Sequence, residues 1–274
     1  MKNKNLYLVL SSEYNQKKNV LAIAEQAIFG GVDIIQMREK HLSDAEKIKL
    51  GKKLYALCQT HKVMFIVNDD PYLAQQLNAD GVHLGQTDLE KYPLIKARQI
   101  IGQNKIIGLS THNIEQFKQA LNQGYDYLAY GPIFETKTKD YHIGTSQISQ
   151  VLAWANLPVV FIGGINLRNI DLVLEKGAQN IALIRAIMQA ENITQTVKEF
   201  KQKILRGKMQ LRINGKPQEI KDNFTLETLI SDKGLNPSSI VVEYNAQIMP
   251  KQKWAEVILK QGDIIEIISF VGGG

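Results

Sequence analysis

Cysteine is almost missing from this chain. The single Cys58 excludes an internal disulfide framework and fits a reducing compartment. Its neighbours Leu50, Leu54 and Leu57 recur at helical spacing, so it reads as a small packed hydrophobe and not as a nucleophile. Long apolar runs are missing too. No run approaches a membrane span, and residues 6–10 are too short for the apolar region of a signal peptide, so the expectation is a cytoplasmic chain with no membrane partner. There is no basic stripe interleaved with aromatics, which argues against nucleic acid as a partner. His41, His61, His112 and His142 lack metal-ligand spacing, and His83 falls within an apolar strand, where packing is its expected role.

What the chain does carry is a modest basic surplus, a formal charge of +6 that is unevenly spread. Residues 209–274 hold 7 Lys/Arg against 8 Asp/Glu, which leaves 26 against 19 in the first 208 residues. That surplus is compatible with phosphorylated substrates, although a solvated lysine-rich surface accounts for most of it. At 274 residues the chain exceeds the usual single domain, and one large domain with one small one is a natural division.

Apolar segments of strand length alternate with amphipathic stretches. The expected strands are residues 6–10, 33–37, 63–67, 81–84, 105–109, 126–130, 158–162 and 180–184. Most are continuously apolar, as befits a parallel sheet covered on both faces. A short turn signature returns before the strands, as in Gly31-Val32-Asp33, Ala79-Asp80-Gly81 and Gly124-Tyr125-Asp126. Eight strands with intervening helices in about 200 residues match the lower size range of a (β/α)8 TIM barrel. The alternative is a doubly wound open sheet, but here polar clusters follow many strands instead of one switch point. The expected barrel domain is 1–206. Residues 209–274 then change texture: a hairpin around Gly215, a helix capped by Thr225, and strands at 240–244, 254–258 and 264–270 suggest a ubiquitin-like β-grasp domain.

The polar clusters carry the chemistry. They are Gln36-Met37-Arg38-Glu39-Lys40, Asn68-Asp69-Asp70, Gly85-Gln86-Thr87-Asp88 and Thr136-Lys137-Thr138-Lys139, each placed after an apolar run. A barrel gathers such strand ends into one mouth. Carboxylates at neighbouring strand ends, Asp69 and Asp88, suit Mg²⁺, which completes its shell with water and substrate phosphate. Asp70 precedes Pro71 and is the natural cap of the next helix. Arg38 offers a planar fork to diphosphate, Lys40 and Lys139 offer point charges, and Gln36 has the donor and acceptor that a heterocycle edge needs. Glu39 would face away or brace the basic pair. Ser110 can donate to phosphate or cap a helix. Gly163-Gly164 lets backbone amides approach a phosphate closely.

Residues 6 to about 206 resemble thiamine phosphate synthase. The family's Q-x-R-E-K, N-D-D, G-V-H-x-G-Q-x-D and G-P-I-F-x-T-x-T-K segments and its late G-G all occur here, in order. The resemblance implies condensation of a hydroxymethylpyrimidine diphosphate with a thiazole phosphate, giving thiamine phosphate and diphosphate. It implies that Gln36, Met37, Arg38, Glu39, Lys40, Asn68, Ser110 and Lys139 bind the pyrimidine diphosphate. Thr136, Lys137, Thr138, Gly164, Ile184 and Arg185 would serve the thiazole phosphate, and Asp69 and Asp88 would hold Mg²⁺. Arg38, Lys40 and Lys139 would neutralise the leaving diphosphate. Two positions depart from the family pattern: Arg185 replaces a serine, and Glu135 replaces a proline.

Residues 209–274, ending in Phe270-Val271-Gly272-Gly273-Gly274, resemble the sulfur carrier protein of thiazole synthesis. Bare glycines can thread a narrow adenylation site. The resemblance implies a thiocarboxylate at Gly274, with an adenylating enzyme, a sulfur donor and thiazole synthase as partners. Two other readings stay open from sequence: a thiazole tautomerase of the same barrel type, and an idle barrel attached to a sulfur carrier.

Overall fold

The computed structural model describes residues 4–16, 18–136, 140–205, 208–221 and 224–269. The chain forms two compact units, Met1–Ile204 and Leu205–Gly274. In the first, eight parallel strands close on themselves: β1 (Leu6–Leu10), β2 (Ile34–Met37), β3 (Met64–Asn68), β4 (Gly81–Leu84), β5 (Ile106–Thr111), β6 (Tyr127–Tyr130), β7 (Val159–Ile162) and β8 (Asn180–Leu183). Closure is made by β8 pairing with β1, with Leu6 opposite Ile181. Helices wrap the outside: α1 (Val20–Gly30), α2 (Asp44–His61), α3 (Pro71–Gln76), α4 (Leu94–Ile101), α5 (Ile114–Ala120), α6 (Ile148–Trp154), α7 (Ile170–Leu174), α8 (Arg185–Met188) and α9 (Ile193–Leu205). The expected (β/α)8 architecture is present.

Alternation along each strand makes two separate cores. Outward residues such as Leu8, Ile35, Phe65, Val82, Leu109, Leu128, Phe161 and Ile181 pack beneath the helices. Inward residues, among them Tyr7, Val9, Ile34, Ile66, Tyr127, Val160 and Ala182, fill the barrel. The sequence looks continuously apolar because both faces are buried. Cys58 belongs to the outer core, where burial, and then the nearby Asp80, push its thiol up to about 12. That is packing, not nucleophilic chemistry.

The turn signature before the strands has a structural purpose at the N-terminal rim. Asp33 Oδ2 accepts from the amide of Leu6 at 2.7 Å, Asp80 Oδ2 from Phe65 at 2.8 Å, and Asp126 Oδ2 from Ile107 at 2.7 Å. Each carboxylate thus satisfies an amide near the start of the preceding strand. Asp33 is also paired with Lys201 at 2.7 Å, and Asp126 with Arg98 at 2.7 Å.

The second unit has a five-stranded sheet with order β10-β9-β13-β11-β12. Its elements are β9 (Lys208–Ile213), β10 (Lys216–Lys221), α10 (Leu226–Asp232), β11 (Ile240–Tyr244), β12 (Gln247–Ile248) and β13 (Ile264–Ser269). Strands β9 and β10 form the hairpin expected around Gly215, whose Asn214-Gly215 turn has both φ angles positive. The last strand, β13, runs parallel to β9 in the middle of the sheet. Leu226, Leu229 and Ile230 of α10 pack with Leu211, Val242, Trp254 and Ile265. Thr225 caps α10 by accepting from the Thr228 amide at 3.1 Å. The strand expected at 254–258 is absent among the described residues: Lys251–Lys253 is a 3-10 turn, and only an isolated bridge joins Ile258 to Thr225. Pro250 starts that turn, and Trp254 is held in the core with its indole N–H on the Met249 carbonyl at 2.9 Å.

Candidate active site

The barrel opens at its C-terminal rim into a cavity of about 630 Å3. Gln36, Arg38, Lys40, Asn68, Ser110, Thr136, Gly164, Ile184 and Arg185 all line it. These residues come from β2, β3, β5 and the segments after β2, β6, β7 and β8, so closure of the sheet is what brings them together. Lys137, Thr138, Lys139 and Gly274 lie outside the described residues.

Met37 and Glu39 line a smaller pocket beside this cavity and not the cavity itself. Met37 follows Gln36 by one residue, so it points to the other face and is buried in the outer core. Drawing it into the cavity would forfeit about 1.5–3 kcal/mol of apolar burial. Glu39 is engaged by Ser12, whose amide donates to Oε1 at 2.9 Å and whose hydroxyl donates to Oε2. It braces the segment after β1 while also lining that smaller pocket.

Arg38 is the clearest anion receptor. Its Nη1 is buried without a hydrogen-bond partner among the described residues, and the nearest carboxylate, Glu13, stands 3.6 Å away. A buried guanidinium N–H left in that state favours a bound anion. Across β1 from Arg38, after β8, Arg185 Nη2 donates to Thr136 Oγ1 at 2.8 Å, and its guanidinium lies 5.5 Å from the Tyr14 ring centre. Beside it, Gly163 and Gly164 have φ of +104° and +66°. A Cβ at Gly164 would stand 2.5 Å from the Glu135 carbonyl oxygen, so only glycine fits this backbone cradle.

The smaller pocket adjoins this cavity, and Lys40 and Asn68 line both. Its acidic walls are Glu39, Asp69, Asp70 and Asp88. Asp70 is the N-cap of α3, accepting from Tyr72 and Leu73. Asp69 takes a left-handed φ of +66°, and its amide donates to the His83 carbonyl at 2.8 Å. Burial, and next the Asp88 charge, hold the Asp69 carboxyl well above the ordinary carboxylate range. Asp88 Oδ2 accepts from the Gly85 amide at 2.7 Å, which turns it toward its own 3-10 turn, Gln86–Leu89. Among the described residues, no group of three or more His, Cys, Asp or Glu forms a metal cage. Two facing carboxylates with one reluctant to ionise are nonetheless a fitting donor set for a cation such as Mg²⁺, which takes few protein ligands and the rest from water and phosphate.

The cavity floor holds residues that the sequence did not disclose. Tyr7, Tyr127 and His83 line it, all buried. His83 stacks on Tyr127 at 5.4 Å between ring centres. Burial, and then the nearby His112, push the His83 imidazole down to about 4, so it is neutral at pH 7. Gly108 makes room for this arrangement, since a Cβ there would lie 2.0 Å from the Tyr127 ring. One signal was available: Gln36, His83 and Ser110 share the inward parity, and the same parity selects Tyr7 and Tyr127 from runs that look uniformly apolar.

A closed parallel barrel with guanidinium, ammonium, carboxamide and paired carboxylate groups at its C-terminal rim defines a phosphate-handling (β/α)8 enzyme. Residues 6–187 match the family described as thiamine monophosphate synthase, and the chain belongs to that family. Residues 211–274 match the ThiS family. The thiamine-phosphate synthase of Halalkalibacterium halodurans is 41% identical over 203 residues, which cover 73% of this chain and 95% of the relative. That of Clostridium acetobutylicum is 39% identical over 190 residues, covering 69% and 89%. Among solved structures, the thiamine phosphate pyrophosphorylase of Pyrococcus furiosus is similar, with a TM-score of 0.66, 32% identity, and coverage of 73% of this chain and 95% of that one.

Proposed function

We propose that the barrel joins 4-amino-2-methyl-5-hydroxymethylpyrimidine diphosphate to a thiazole phosphate, giving thiamine phosphate and diphosphate. The observation that carries this reading is the convergence of Arg38, Lys40, Gln36 and Ser110 with the Thr136–Arg185 side in one cavity beside the Asp69–Asp88 pair. Arg38 and Lys40 hold the diphosphate and neutralise the charge that grows as the carbon–oxygen bond breaks. The bond's electrons leave with diphosphate, the pyrimidine methylene becomes cation-like, and the thiazole nitrogen supplies the pair for the new carbon–nitrogen bond. Gln36 and Ser110 orient the pyrimidine, while Thr136, Gly164 and Arg185 seat the thiazole phosphate. Holding both partners in one cavity removes an entropic part of the barrier. Mg²⁺ held by Asp69 and Asp88 would supply further charge neutralisation at the leaving group. The carboxylate pair favours this synthase over an isomerase acting on thiazole alone, which has no leaving diphosphate to neutralise.

The second unit is a sulfur carrier in this reading, supported by the ThiS match. Gly274 would be adenylated by a partner enzyme, converted to a thiocarboxylate by a sulfur donor, and used by thiazole synthase. The decisive assay incubates pure protein with both phosphates and Mg²⁺. Thiamine phosphate should form and should stop on chelation; no product with a folded barrel overturns the synthase reading. For the carrier, intact-mass analysis after incubation with the adenylating enzyme, ATP and sulfide should show exchange of one oxygen for sulfur.

A further inference from the structure

Four hydrogen bonds in series cross the barrel interior below the cavity. Gln36 Nε2 donates to Tyr7 Oη at 2.8 Å, and the Tyr7 and Tyr127 hydroxyls are 3.0 Å apart. Tyr127 Oη lies 2.8 Å from His83 Nδ1, and His83 Nε2 lies 2.8 Å from Ser110 Oγ. The two ends, Gln36 and Ser110, are the groups assigned above to the pyrimidine.

Counting hydrogens shows that these five side chains cannot orient independently. Each hydroxyl has one hydrogen, and a neutral imidazole has one N–H. With Gln36 donating to Tyr7, Tyr7 must donate to Tyr127, Tyr127 to Nδ1, and Nε2–H to Ser110. Gln36 then offers its carbonyl to the cavity and Ser110 its O–H. Turning the Gln36 amide over reverses every bond: Tyr7 donates to Oε1, Tyr127 to Tyr7, Nδ1–H to Tyr127, and Ser110 to Nε2. Gln36 now offers N–H and Ser110 offers lone pairs. Any mixed state either sets two lone pairs against each other or leaves a hydroxyl hydrogen without a partner in the series, which carries the cost of an unmet buried polar group.

We propose that Tyr7, Tyr127 and His83 are positioning residues that couple Gln36 to Ser110, so that the site reads a heteroaromatic edge as one unit, a donor at one end and an acceptor at the other. The ligand's identity rests on the function proposed above; the coupling does not. A 4-aminopyrimidine meets the requirement through its amino group and a ring nitrogen. Its 4-oxo lactam analogue offers the inverse pattern and demands the reversed chain.

The test uses the full chain with ¹⁵N-labelled histidine, the His83 resonances being assigned by comparison with His83→Asn. Titration with the aminopyrimidine diphosphate and with its 4-oxo analogue should drive His83 to opposite tautomers in the wild type. In Tyr127→Phe, His83 should still follow the ligand through Ser110, whereas Gln36→Ala, which should shift the tautomer mixture when Tyr127 is present, should no longer shift it. In kcat/KM, the losses from Gln36→Ala and Ser110→Ala should fall short of multiplying by about tenfold in the wild type, and should multiply to within about twofold in the Tyr127→Phe background. One tautomer for both ligands, or mutual dependence that survives Tyr127→Phe, overturns the proposal. Tyr7→Phe cuts the series on the other side of the same bond and replaces Tyr127→Phe if that variant does not fold. A wild type that makes no thiamine phosphate but still switches His83 overturns the function and leaves the coupling standing.

Discussion

The two rims of the barrel both carry aspartates, and the same carboxylate behaves oppositely at each. At the N-terminal rim, Asp33, Asp80 and Asp126 are each spent on a backbone amide of a neighbouring strand, and two of them on a cation as well. Their negative charge is matched within the fold. At the C-terminal rim, Asp69 faces Asp88 in a buried pocket, and the fold resists its ionisation. A carboxylate that the fold satisfies contributes to stability, whereas one left facing another carboxylate is kept for something that binds.

Variants at the two rims should therefore separate activity from stability. The largest effect is expected for Asp69→Asn, which should lower thiamine phosphate formation by about 10²–10³-fold or more. The same variant should be no less stable without metal, as measured by thermal melting. The sign follows from proton linkage. The folded state holds the Asp69 proton more tightly than the unfolded chain, so the wild type loses this part of its stability as pH rises above the ordinary carboxylate range. A neutral carboxamide at this position removes that loss, and a melting temperature that falls with the activity would break the contrast between rims.

Arg38→Ala comes next. It should cost about 10²-fold in kcat/KM, mostly through diphosphate binding and leaving-group stabilisation, and Arg38→Lys should recover only part because the fork is lost. Asp33→Ala belongs to the opposite rim. It strands the Leu6 amide and the Lys201 ammonium, so it should destabilise the barrel by about 1–3 kcal/mol in denaturant unfolding, with kcat per folded molecule unchanged. The smallest effect is expected for Arg185→Ser, since Arg185 is already engaged by Thr136. It should change KM for the thiazole phosphate by less than about tenfold and leave KM for the pyrimidine diphosphate unmoved. A change in the latter would mean that the two phosphate ends are not separate.

The C-terminal side of this contrast was legible in the sequence, whereas Asp33, Asp80 and Asp126 read there only as turn residues. The strand segments were readable because a barrel buries both strand faces, and each polar group after them broke an otherwise apolar run. The inward or outward facing of each residue was harder to read. Met37 sits within a polar cluster yet belongs to the outer core, because one step along a strand reverses the side chain. Tyr7 and Tyr127 were hidden for the converse reason: an inward tyrosine in a fully apolar strand looks like packing until its hydroxyl is seen to meet Gln36 or His83. Residues 254–258 failed as a strand because an apolar run containing Trp254 can be buried from a turn as well as from a sheet. The engagement of Glu39 by Ser12 depends on two segments 27 residues apart, which local pattern does not reveal.

The backbone at Asp69 has one more consequence. A left-handed φ is a conformation that glycine and asparagine adopt more readily than aspartate. A random library sorted only for well-folded protein should therefore admit both at this codon, whereas growth dependent on the product should return aspartate alone.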